Sequence, residues 1–256
     1  MTHKILFVVA HPDDESLWIG GLLDFLNRRE EVEIYVLCVT GRNHSERYKE
    51  FESVMNLIGI KNWYVGNEDI PLRGGIFLSE LDKSFNNGLG SLRLKLEDID
   101  VLITHPFYGD EHLHCQHSQM FEVLSYFCHN NDIPFGFFST IIIRYYRMSP
   151  LLTHMKRDGD VHLINYSYCE SHSDVNDKVQ PEYFYQFKID SKVKAKMLSC
   201  YQSINHEEHQ NGYASWDSDV EGVYFMNAKA AKPFSAICSQ MDAPAGNAIF
   251  ANKELL

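Results

Sequence analysis

Hydrophobic positions along the chain fall alternately into continuous runs and helical stripes. Residues 5–10 (ILFVVA) form an unbroken apolar run, rich in β-branched side chains and stopped by His11-Pro12. That is the pattern of a strand buried on both faces in a parallel sheet. Residues 13–27 then carry Leu17, Ile19, Leu22, Leu23 and Leu26 at helical spacing, behind acidic residues suited to a helix start. Residues 32–40 (VEIYVLCVT) predict a second strand. Residues 46–58 predict a helix with Phe51, Val54, Met55 and Ile58 on one face and Gly59 at its C-terminal end. Further strands are predicted at 63–65, 101–104 and 137–143, and a helix over 117–129 with Met120, Val123, Leu124 and Phe127 as its stripe. Beyond residue 150 the pattern is less regular, with strands expected at 161–168 and 183–189 and a helix at 191–203.

Strand–helix alternation over the first 145 residues implies an α/β fold, a Rossmann-like, open, mostly parallel sheet with helices on both faces. A less regular C-terminal part completes it. The chain shows no internal repeat, low-complexity tract or clear linker, so residues 1–256 read as one domain, with a core at 4–145 and a region at 146–256 expected to shape the substrate site. In open α/β sheets ligands bind beyond the carboxyl ends of the strands. The segments 11–15, 40–47 and 105–117 therefore carry the functional argument. A nucleotide-binding first turn is disfavoured, because Gly-x-Gly-x-x-Gly is absent and Gly20-Gly21 falls inside the helix.

Composition narrows the partners. The 256 residues are 45% hydrophobic and 23% charged, enough apolar content for a sizeable core. Lys plus Arg less Asp plus Glu gives 23 − 35 = −12, which argues against nucleic acid or an anionic membrane as partner. Six dispersed cysteines with no Cys-x-x-Cys read as reduced thiols in a cytoplasmic protein. No apolar stretch is long enough for a membrane span or a signal-peptide core. Association into a homo-oligomer is left open.

Two constellations carry chemistry. His11-Pro12-Asp13-Asp14-Glu15 follows the first strand and crowds one imidazole and three carboxylates into five residues. Such crowding is electrostatically costly unless a cation or a helix N-terminus compensates. A divalent metal would use His11 and one Asp, leaving the other as a base; a capped helix start is the plainer explanation. The second constellation runs from His105 to His117 and holds four of the thirteen histidines. His114 and His117, three residues apart, share a face of one helical turn, so one can ligate a metal while the other donates to a substrate. Two histidines and an aspartate with an open fourth position describe a catalytic zinc site.

These motifs resemble those of the LmbE/PIG-L zinc-dependent de-N-acetylases. His11-Pro12-Asp13-Asp14-Glu15 after a buried strand is similar to the family's first motif, and His114-Cys115-Gln116-His117 stands where the family has His-Pro-Asp-His. Arg47-Tyr48-Lys49-Glu50 and Leu57-Ile58-Gly59 resemble the helix between them, Asp69 an acidic residue after the third strand, and residues 194–203 a weaker C-terminal helix pattern. By that resemblance the metal ligands are His11, Asp14 and His117, Asp13 is the general base and His114 stabilises the oxyanion. Arg47 and Asp69 match sugar-contacting positions, and His112, two residues upstream of the pair, is the alternative oxyanion residue. Cys115-Gln116 in place of Pro-Asp implies that any support the Asp gives to the metal ligands is missing.

The resemblance implies a hydrolase that removes an N-acetyl group from an N-acetylglucosamine-type sugar or its conjugate, with Zn2+ as cofactor and Fe2+ or another divalent ion as the alternative in the cell. Asp13 takes the water's proton and returns it to the departing amine, and His114, if protonated, donates to the oxyanion. Other metal-dependent amidases or phosphoesterases, or a non-catalytic sugar-binding relative, are the alternatives. For Arg47 an intrahelical pairing with Glu50 competes with the sugar-contacting role.

Overall fold

The computed structural model describes residues 2–68, 78–107, 109–110, 114–140, 183–206, 210, 219–239 and 248–249. Its strands are β1 (His3–Val9), β2 (Val32–Thr40), β3 (Asn62–Glu68), β4 (Val101–Thr104), β5 (Phe135–Phe138), β6 (Tyr183–Lys188), β7 (Val220–Phe225) and β8 (Ala248–Ile249). Its helices are α1 (Asp14–Asn27), α2 (Ser45–Ile58), α3 (Leu78–Leu92), α4 (Cys115–Asn130), α5 (Ser191–Ser199) and α6 (Ala228–Ser239). The strands form one sheet in the order β3-β2-β1-β4-β5-β7-β6-β8. β1 to β5 pair in parallel, and β7, β6 and β8 join antiparallel. The sheet is therefore mixed: the expected parallel half is there, and the C-terminal strands extend the same sheet.

The alternation of β1 explains the three-layer build. Ile5, Phe7 and Val9 point into one buried cluster with Leu17, Trp18, Phe51, Val54, Met197 and Phe234, from α1, α2, α5 and α6. Leu6, Val8 and Ala10 point into the other, with Leu81, Phe85, Met120 and Phe121 from α3 and α4. The run Ile5–Val9, apolar at every position, is what burial on both faces requires. At the end of α2, Gly59 adopts a left-handed conformation (φ 76°), open to glycine without a Cβ penalty, and its N–H bonds back to Asn56. α5 starts at a true cap, the Asp190 carboxylate accepting Lys192 N–H at 2.9 Å.

Several expected boundaries move. β5 begins at Phe135 and ends at Phe138, where the Ser139 N–H turns to the Gly222 carbonyl of β7; residues 141–143 lie outside the described residues, as does the strand expected at 161–168. α5 stops at Ser199 rather than 203, because Tyr201, Gln202 and Ser203 turn back toward α1 and α2. The helix α3, the strands β7 and β8 and the helix α6 have no counterpart in the sequence reading. Among the described residues no helix is long and apolar enough to cross a membrane.

A buried ion pair ties the C-terminal elements to α1. Lys194 Nζ lies 3.0 Å from Glu221 Oε1, both side chains almost wholly out of solvent. The Glu221 carboxylate also accepts the Gly21 and Leu22 N–H groups at 3.2 and 2.7 Å. Removing one partner strands the other charge in the interior, so Lys194→Ala is expected to lower the unfolding free energy by about 3–5 kcal/mol. Denaturant titration followed by circular dichroism measures this; a loss below about 1 kcal/mol would show that the pair carries no such weight.

Candidate metal and catalytic centre

β1 and β4 are neighbours, but the chain leaves them for opposite faces, to α1 and to α4. That divergence opens a crevice at their carboxyl ends, where open α/β sheets bind ligands. The His11–Asp14 turn enters it from β1, and His105, Asp110 and the His114–His117 turn enter from β4.

The first turn is strained where the chemistry is densest. Asp13 has φ 118° and ψ −30°, a region sparsely populated by any residue but glycine. Its side chain makes no cap bond to α1, so the plain helix-start explanation fails for this residue. Two side chains, Glu15 and Arg47, hold the turn. The Asp13 N–H donates to Glu15 Oε2 at 3.1 Å, and Arg47 Nη1 donates to Asp13 Oδ2 at 3.0 Å and to the Pro12 carbonyl at 3.1 Å. Glu15 is fully buried and also accepts the hydroxyls of Ser16 (2.6 Å) and Tyr201 (2.7 Å). Burial pushes its carboxyl up to about 7 despite these donors. Arg47 therefore makes no intrahelical pair with Glu50, whose carboxylate accepts the N–H groups of Gln202 and Ser203 and the Ser203 hydroxyl.

His11, Asp14 and His117 bring one donor atom each into a cluster within 4.8 Å. His117 Nε2 lies 3.2 Å from His11 Nδ1 and 3.4 Å from Asp14 Oδ1, and His11 Nδ1 lies 3.4 Å from Asp14 Oδ2. Tetrahedral zinc with arms of about 2.0–2.1 Å sets its ligands about 3.3 Å apart; the two histidines meet that spacing with each other and each meets it with Asp14, through different carboxylate oxygens. The electrostatics agree. Burial works against a charged His117, but the Asp14 carboxylate and the Asp110 side chain outweigh it and push the imidazole up to about 10. Burial would likewise raise Asp14, yet His117 and His105 hold its carboxyl well below the usual range. The centre thus stabilises a positive charge, carried by a proton when no metal is bound.

Residues without an assigned role in the sequence reading complete the shell. Asp110 receives the His114 N–H on Oδ1 at 3.1 Å and places Oδ2 3.1 Å from His117 Nδ1, orienting both members of the histidine pair. Gln116, which stands where the resemblance expects Asp, is fully buried with its Oε1 against His11 Nε2. His105 lies wholly buried, stacked on His117 at 4.0 Å between ring centroids, with Nε2 accepting the Ala10 N–H and 3.3 Å from Asp14 Oδ2. Burial and the charge of His117 push it down to about 3, so it is a neutral wall of the site. No spacing rule distinguishes Asp110 from its acidic neighbour Glu111, and only the fold reveals its task.

His114 stands at the start of α4 with its ring 4.6 Å from that of His117 and 5.0 Å from that of His11. Burial, then the charge of His117, pushes it down to about 4. That direction favours the uncharged imidazole, which still has one ring N–H to give. Asp69 and His112 lie outside the described residues.

No family model matches the chain. A stretch of 40 residues is 46% identical to the probable N-acetylglucosaminyl-phosphatidylinositol de-N-acetylase of Schizosaccharomyces pombe, and covers 16% of this chain and 16% of that protein. Among solved structures, the zinc inhibited form of teicoplanin deacetylase Orf2 superposes with a TM-score of 0.51 at 12% identity, over 87% of this chain and 97% of the other. A deacetylase–bog complex from the teicoplanin biosynthesis pathway gives 0.50 at 11% identity, with the same coverage. The α/β architecture is shared with these deacetylases. The chain resembles the LmbE/PIG-L-type deacetylases in fold as well as in motifs.

Proposed function

We propose that the protein is a zinc-dependent hydrolase of the LmbE/PIG-L type that removes the acetyl group from an N-acetylglucosamine-type sugar or its conjugate. The observation that carries this reading is the convergence of His11 Nδ1, Asp14 and His117 Nε2 into one largely buried donor cluster within 4.8 Å, with Asp13 directly before Asp14 in the chain. The local match to a de-N-acetylase of a glucosaminyl lipid supports the substrate class. A bound zinc ion would polarise the amide carbonyl and lower the pKa of a bound water to about 7.

The chain's own groups do the rest. Asp13, fixed by Arg47 and by its N–H bond to Glu15, accepts a proton from the attacking water as the carbon–oxygen bond forms. It returns that proton to the sugar nitrogen as the carbon–nitrogen bond breaks, and the products are acetate and a free amine. His114 donates an N–H to the carbonyl oxygen as negative charge builds on it, a type of contact worth about 10²–10³ in rate. Burial of Asp14, His105, Asp110 and His117 excludes water from beneath the reacting amide. Sugar hydroxyls are assigned to Asp69 and to the guanidinium of Arg47 beyond its bonds to Asp13 and Pro12.

Elemental analysis of the purified chain, with acetate release measured on N-acetylglucosamine and on N-acetylglucosaminyl-phosphatidylinositol, tests the reading. About one zinc per chain is expected, with acetate release that stops under a chelator and returns with zinc. About two metals per chain would favour a phosphoesterase; acetate release indifferent to metal would overturn the proposal.

A further inference from the structure

The two histidines of the metal centre are backed by different chemistry. His117 Nδ1 faces a carboxylate, Asp110 Oδ2, at 3.1 Å. His11 Nε2 faces the side-chain carbonyl oxygen of Gln116, a neutral acceptor with no exposure to solvent. An amide oxygen can only accept, so it keeps the His11 proton on Nε2 and leaves the Nδ1 lone pair directed at Asp14 and His117. Turning the amide over would present its NH2 group to Nε2 and force the ring proton onto Nδ1, where His11 could no longer be a ligand. Gln116 is wholly buried, so its side of this contact is shielded from solvent.

We propose that Gln116 is a positioning residue that sets how tightly the centre holds zinc, by fixing the tautomer of His11 through an uncharged contact. This rests on the zinc reading given above and goes beyond it. A carboxylate behind a ligating imidazole makes the ring more basic and its bond to the metal stronger, but leaves the metal a weaker Lewis acid. Asp110 gives His117 that stronger backing, and Gln116 withholds it from His11. The centre thereby keeps orientation without adding a further negative charge beside Asp13, Asp14 and Asp110.

Two substitutions separate this role from mere packing. Zinc is titrated in competition with a chromophoric chelator at pH 8 into metal-stripped wild type, Gln116→Ala and the isosteric Gln116→Glu, with circular dichroism confirming that each is folded. Gln116→Ala is expected to weaken zinc about 10–100-fold and Gln116→Glu to tighten it about 10-fold. Weakening of equal size in both variants is the signature of packing alone and overturns the proposal, as does wild-type affinity in both. If wild type binds no zinc, the metal reading itself falls and this inference with it; wild-type binding with unresponsive variants overturns the inference alone.

Discussion

Asp13→Asn is expected to lower the turnover number for acetate release by about 10²–10⁴-fold while bound zinc stays at the wild-type level. An amide oxygen has almost no basicity, so it cannot take the proton of the attacking water, yet it matches the carboxylate in shape. The backbone should survive the change, since Asn tolerates positive φ better than most residues and Asp13 sits at φ 118°. The Arg47 Nη1 contact, 3.0 Å from Asp13 Oδ2, can be retained by the amide oxygen. None of the three metal donors is touched. Turnover and zinc content should be read on one sample; turnover within a few-fold of wild type would sink Asp13 as the base.

His117→Ala is expected to have the larger effect, removing both the metal and the activity. It deletes one of three donors and leaves the Asp14 and Asp110 carboxylates, both buried, facing an empty space. Zinc affinity should fall by more than the roughly 100-fold that marks the loss of an outer-shell partner. Acetate release should drop to the solution background. The wild-type centre adds a pH signature. With His117 pushed up to about 10, its proton must leave when a metal binds. Zinc affinity should therefore rise with pH below that value, by about tenfold per unit for one proton released. Competition titrations at pH 6, 7 and 8 read the slope, and a flat profile would show that metal and proton do not share the site.

How much of this was legible in the sequence follows from the range of the interactions involved. The buried run of β1 and the helical stripes of α1, α2 and α4 are local patterns, and each appeared within a few residues of its place. α3 did not, although Leu81, Phe85 and Leu89 are spaced as a helical stripe. Asn86, Asn87, Gly88 and Gly90 mask it, since those residue types usually mark turns. Gly88 is there for packing: a Cβ would stand 2.3 Å from Leu37 Cδ1 of β2. In α6, Pro233 inside the helix hid the pattern, and in β7 Glu221 and Gly222 broke it. Glu221 is charged within a buried strand because Lys194 and two N–H groups of α1 await it, a pairing no local window contains.

The same division holds in the candidate site. His11, Asp13, Asp14, His114 and His117 announce themselves by residue type and spacing, and the fold brings them to one crevice. The groups that orient them do not. Asp110, Gln116, His105 and Tyr201 are defined by which atom they face, and that depends on the crossing from β1 to β4 and on a turn late in the chain.

That late turn also sets when the surroundings of the centre are complete. Glu15 draws its Tyr201 donor from 186 residues downstream, and Glu50 draws its Gln202 and Ser203 donors from 152 and 153 residues downstream. During synthesis, β1 to β5 can assemble behind the ribosome while two carboxylates that end up buried still wait for partners. Glu15, which holds the Asp13 N–H, gains its Tyr201 donor only when that residue has emerged and docked. A nascent chain therefore carries His11, Asp14 and His117 well before it carries the Tyr201 donor that completes the surroundings of Glu15.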